Sequence, residues 1–123
     1  MSGWEGARVA RVGEMDSEVL EGLGEMTVVR HRIPAGFDSS PYYRGLPEDM
    51  CPCEHWCYLV RGELHYRFAA GETLLAREGD AFHVRGGHLV DVLDDSELIE
   101  LTRSDEYRRK AEHLARVAGG DGR

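Results

Sequence analysis

From Glu54 to Thr102 short apolar or alternating runs recur every 8–12 residues, most of them cut off by a glycine-bearing turn, and that rhythm limits the fold more than any other feature. His55–Val60, Glu63–Phe68, Thr73–Ala76, Ala81–Val84, His88–Leu93 and Glu97–Thr102 are the runs. Arg61-Gly62, Ala69-Ala70-Gly71-Glu72, Glu78-Gly79-Asp80 and Arg85-Gly86-Gly87 separate the first five. Within Glu63–Phe68, Leu64, Tyr66 and Phe68 alternate with Glu63, His65 and Arg67, the period of a half-buried strand. Such a series specifies an all-β antiparallel sandwich or barrel. Fifteen glycines in 123 residues, against an average usage of about 7%, agree with a turn-rich fold.

Upstream, Thr27–Ile33 is a β-branched run halted by Pro34-Ala35-Gly36, a strand and a turn. Residues 1–24 read as an N-terminal lead-in, with a short strand over Ala7–Val12 and a helical turn over Asp16–Leu23 closed by Gly24. Residues 37–52, with three prolines and the pair Tyr42-Tyr43, read as a long loop, and loops of that length in a compact domain are often functional. At the other end Ser104 followed by Asp105-Glu106 caps a helix, with spacing at Tyr107, Ala111, Leu114 and Ala118. Gly119-Gly120 ends it, and Arg108, Arg109 and Lys110 are expected on its wet face. The organisation expected is a lead-in over 1–24, a barrel over 25–103, and a helix and tail over 104–123.

Fifteen basic against twenty-three acidic residues give a net charge of −8, which argues against nucleic acid and against an anionic membrane surface as partners. Fourteen arginines against the single Lys110 read as codon composition. The longest apolar stretch, Trp56–Val60, is five residues against the roughly 20 needed to span a bilayer. No continuous apolar segment of a signal peptide opens the chain, so a cytoplasmic location is expected. Cys51, Cys53 and Cys57 are clustered and odd in number. Extended residues two apart have Cα atoms about 6.6 Å apart, near the limit for a disulfide, so reduced thiols with metal or redox chemistry are expected.

Tyr58-Leu59-Val60-Arg61-Gly62-Glu63-Leu64, with Gly79-Asp80 seventeen residues after Gly62, resembles the two motifs of the cupin superfamily over residues 25–102. The resemblance implies a cupin-type antiparallel jelly-roll β-barrel, here with a short C-terminal α-helix. Cupins typically carry a metal on two histidines and a glutamate of the first motif and a histidine of the second. The glutamate place is His55 here, and the two upstream histidine places fall at Asp49 and Cys51, or at Glu48 and Met50 with the longer spacing. The second-motif histidine place is Val90 and its proline place Arg85, so the usual ligand set does not carry over. Cys51-Pro52-Cys53-Glu54-His55-Trp56 nevertheless resembles a subgroup of small cupins with a C-x-C-x-H-W first motif and a G-H in the second, here Gly87-His88.

Cys51, Cys53, His55 and His88 are therefore the candidate metal ligands. His88 lies two residues from Val90 and so on the same strand face, about 6.6 Å along it. A regular strand would spread the first three over about 13 Å, but Pro52 cannot join a ladder and lets residues 51–53 bend together. Two thiolates and two imidazoles suit zinc, with iron or copper possible. The competing reading makes the thiols small buried hydrophobes, which fits Cys57 best. His83, Glu54 and Tyr66 are candidate acid–base groups near the barrel mouth. His65 is expected exposed, and His31 and His113 are expected on the surface. Tyr42-Tyr43-Arg44 forms either a lid or an outer packing contact.

Two functions stand. One is a metal-dependent enzyme acting on a small organic molecule in the barrel, of isomerase, cyclase or oxygenase type. The other is a barrel that binds or senses a small molecule or soft metal without turnover. The resemblance also implies a homodimer, which would protect open sheet edges.

Overall fold

The computed structural model describes residues 4–117, and the expected helix end at Ala118 and Gly119-Gly120 lies outside them. Among the described residues nine strands form two antiparallel sheets. The larger has the order β1-β2-β3-β9-β4-β7 and the smaller β6-β5-β8. The strands are β1 Arg8–Val12, β2 Met15–Leu23, β3 Met26–Ile33, β4 His55–Arg61, β5 Glu63–Phe68, β6 Thr73–Arg77, β7 Ala81–Val84, β8 His88–Val92 and β9 Ser96–Arg103. The described residues end with α1, Ser104–Val117. This is the antiparallel all-β architecture the turn rhythm specifies, and it agrees with the jelly roll the resemblance implies. Among the described residues no helix is long and apolar enough to cross a membrane.

Leu59, Leu64, Tyr66, Val84, Val92 and Leu98 fill the space between the sheets, with Cys57 packed among them. Gly62 holds the β4–β5 turn at φ +106, and a side chain there would collide with Ser96 and the Asp95 backbone, so only glycine serves. A smaller cluster of Val19, Val29 and Tyr107 seats α1 on the larger sheet.

One expected element is corrected. Asp16–Leu23 forms no helical turn but most of strand β2, paired with β1 on one side and β3 on the other. Ser17 and Val19 alternate inward against the less buried Asp16, Glu18 and Leu20, and that period of two prevails once neighbouring strands are present to complete the ladder. Residues 8–23 thus extend the larger sheet. The 37–52 segment runs through two short 3₁₀ turns, Ser40–Tyr43 and Pro47–Asp49. It ends at Cys51, whose backbone bridges His88.

Candidate metal centre

Two backbone contacts bring the first and second motifs together. The Cys51 N–H donates to the His88 carbonyl at 2.9 Å, and the Gly87 N–H donates to the Cys51 carbonyl at 2.8 Å. Gly86 passes so close to the Pro52 carbonyl that any side chain would strike it. The 85–88 turn is therefore locked against the 51–53 segment, and His88 at the start of β8 faces His55 at the start of β4. Their ring centroids are 5.2 Å apart.

Cys51, His55 and His88, all buried, each offer one ligand atom within 4.8 Å of the others. Cys51 Sγ is 3.7 Å from His55 Nε2, close to the roughly 3.5 Å that separates sulfur and nitrogen on a tetrahedral zinc. The rings are oriented from behind. His88 Nδ1–H donates to the Arg85 carbonyl at 2.7 Å, which leaves Nε2 as the bare nitrogen. His55 Nδ1 and Thr102 Oγ1 are 2.7 Å apart, which turns Nε2 toward Cys51. The Cys53 thiol's hydrogen bond holds the Cys51 thiol well below its usual range, with Lys110, His55 and His88 outweighing burial. A thiolate is the form that binds metal. Donor type, spacing and the engaged Nδ1 atoms all fit a divalent ion.

Cys53 lies outside that trio. Its Sγ is 3.6 Å from the Glu106 carbonyl, and the Cys51 interaction and burial push its thiol up. His83 and Glu54 pair on the outer face, where Glu54 also accepts from Arg103 at 2.7 Å, so neither lines the cavity behind the trio. Tyr66 does line it, fully buried, with no partner for its hydroxyl among the described residues. His65 is half-buried and faces Asp91 at 3.2 Å.

The cavity has a volume of about 80 Å³ and a mostly apolar wall that includes Met15, Ile33, Phe37 and Leu98. Three polar side chains there depart from the sequence expectation or were not singled out. His31, expected on the surface, is buried, because Thr27, Val29, His31 and Ile33 share the inward face of β3. Its Nε2–H donates to Glu100 Oε1 at 2.9 Å, and Ser17 Oγ lies 2.6 Å from Nδ1. Glu100 sits on the inward face of β9 between Leu98 and Thr102, with Oε2 3.8 Å from His55 Nε2. Burial would raise its carboxyl, but His55, His31 and Lys110 hold it well below the usual carboxylate range.

Lys110, expected on the wet face of the helix, is only 7% exposed and lines the cavity. Burial opposes its charge, but Cys51, Tyr43, Cys53 and Glu100 keep the ammonium well above its ordinary range. His113, also expected on the surface, is half-buried against Gly45. Tyr43 lines the cavity, whereas Tyr42 stacks on Phe37 with centroids 6.3 Å apart.

No family model matches the chain, and no curated protein matches it in sequence. Solved structures do match in shape. An RmlC-like cupin from Shewanella frigidimarina aligns at TM-score 0.59 and 18% identity, over 84% of this chain and 88% of that one. The EutQ protein of Clostridium difficile aligns at 0.56 and 17%, over 79% and 77%. KdgF from a Halomonas species aligns at 0.54 and 17%, over 79% and 87%. These likenesses define the class: the fold is a cupin-type jelly roll.

Proposed function

We propose that the barrel is a divalent-metal enzyme acting on a small organic molecule, with Cys51, His55 and His88 holding the ion. The convergence of one ligand atom from each within 4.8 Å, at the wall of a largely apolar cavity, carries this reading. Three protein ligands leave a coordination position open, the mark of a catalytic rather than a structural zinc site. Zinc accepts one thiolate with two imidazoles, and copper or iron can use the same donors. A bound divalent ion would supply Lewis acidity to polarise a carbonyl or activate water, or oxygen chemistry if the ion were iron.

The chain supplies the rest. Glu100, kept ionised, supplies a fixed negative charge beside His55 while His31 holds Oε1. The Tyr66 hydroxyl donates to a substrate oxygen, and the apolar wall excludes water. That set suits isomerisation or cyclisation. Cys53, whose thiol faces the Glu106 carbonyl, keeps the Cys51 thiol low as its neighbour, and we place the chain in the C-x-C-x-H-W subgroup on its Cys51–Trp56 segment. A homodimer has a surface to form on: Trp56, Tyr58, Val60 and Leu101 make an exposed apolar strip on β4 and β9. The alternative, a barrel that binds or senses without turnover, uses the same cavity and would show ligand binding with no product.

Cobalt(II) substitution tests the ligand set. A thiolate-to-cobalt charge-transfer band in the near ultraviolet, with the intense visible bands of a tetrahedral ion, is expected in the wild type. The band's absence, or its survival in Cys51→Ala, would overturn the assignment.

A further inference from the structure

Lys110 has no part in that scheme, yet a buried ammonium is costly unless an anion meets it. Glu100 faces His31 and His55, and among the described residues no carboxylate lies within ion-pair distance of Lys110 Nζ. The Cys51 thiolate is its other anionic neighbour, and that charge is committed to the ion in the reading above. With both imidazoles neutral as ligands, a divalent ion and Lys110 outweigh Cys51 and Glu100 by one positive charge. The hydroxyls of Tyr66 and Ser39, both buried and without partners among the described residues, line the same cavity.

Size and wall chemistry narrow the anion further. An engineered cavity of about 150 Å³ holds benzene. The present 80 Å³ suits a ligand of about two to four carbon atoms. Met15, Ile33, Phe37 and Leu98 favour a hydrocarbon portion over a fully hydrated inorganic anion. Lys110 also lines a surface pocket of about 330 Å³ with Leu46, Cys53 and Arg109, so its side chain stands between that pocket and the cavity.

We infer that the cavity takes a short-chain carboxylate, anchored on Lys110 and hydrogen-bonded by Tyr66 and Ser39. The inference rests on the metal-centre reading, because the metal is what frees Lys110 for a ligand. Lys110 is thus the specificity-determining residue of the pocket.

Calorimetric titration of zinc-loaded protein with acetate, propionate, lactate and pyruvate, and with the corresponding neutral amides, tests this. At least one acid is expected to bind about ten- to a hundredfold more tightly than its amide, the difference a charged hydrogen bond makes. Lys110→Met, which keeps the buried stem, is expected to abolish that preference in the fraction of protein that carries zinc. The comparison of acid with amide in the wild type stands even if the variant fails to fold. Binding by none of the acids, equal binding of acid and amide, or an unchanged preference in Lys110→Met would overturn the inference. Inorganic phosphate binding as tightly as the best acid would also overturn it, since the apolar wall would then be irrelevant. Zinc content measured on the same samples separates the two readings: zinc retained with no acid preference defeats this inference alone, and absent zinc defeats the metal centre itself.

Discussion

His55 and His88 enter the cavity with their Nδ1 atoms already engaged, by Thr102 Oγ1 and the Arg85 carbonyl, and that leaves each Nε2 for a metal. Partners of this kind usually account for 10–100-fold in metal affinity. Thr102→Val, which keeps the volume and removes the hydroxyl, is expected to weaken zinc binding by about 10–100-fold in chelator competition. Glu54→Gln, on the outer face, is expected to leave it unchanged, and equal losses in both would deny Thr102 its orienting role. Cys51, His55 and His88, which the structure brings together, stand out in the sequence because cysteine and histidine are informative by type alone. Glu100, His31 and Lys110 were harder to read because their types are common on surfaces. Their positions did carry a signal. His31 continues the inward alternation of Thr27 and Val29, Glu100 continues that of Leu98, and Lys110 lies on the Tyr107–Ala111–Leu114 stripe as the chain's single lysine.

At the scale of elements, the turn chemistry carried most of the strand boundaries, and β5 and β7 span the residues expected of them. The failure at β2 has a physical source: its ladder partners, β1 and β3, are long-range information that a local helical pattern lacks. The contact that makes the site is the turn 85–88 pressed on the 51–53 segment. Gly86→Ala forces a methyl group into the Pro52 carbonyl, and it should destabilise the fold by about 1–3 kcal/mol in urea unfolding. Zinc affinity should fall with it, because Cys51 and His88 separate. A Gly86→Ala protein of unchanged stability and zinc affinity would show that the two motifs meet by some other constraint.

Seen as a whole molecule, the barrel joins the Cys51, His55 and His88 cluster, contributed by two motifs, to a cavity lined in part by α1. Binding that favours the folded chain must stabilise it, by about 2.7 kcal/mol when free zinc is a hundredfold above its Kd. Unfolding in denaturant with zinc and with excess chelator should differ by that order, and coincident transitions would contradict a site formed only on folding. The exposed strip on β4 and β9 gives a second expectation: sedimentation at twice the chain mass, lost in Tyr58→Glu. A wild-type protein that sediments as a monomer would remove the dimer.

The metal centre itself is tested most directly by metal content per chain, measured by mass spectrometry on untagged protein prepared under reducing conditions. Wild type, Cys51→Ser and Cys53→Ser form the comparison. About one zinc per chain is expected in the wild type and in Cys53→Ser, and close to none in Cys51→Ser, because only Cys51 shares its position with His55 and His88. Folded wild type that takes up no zinc, or a Cys53→Ser protein that loses it as completely as Cys51→Ser, would contradict an open three-ligand site.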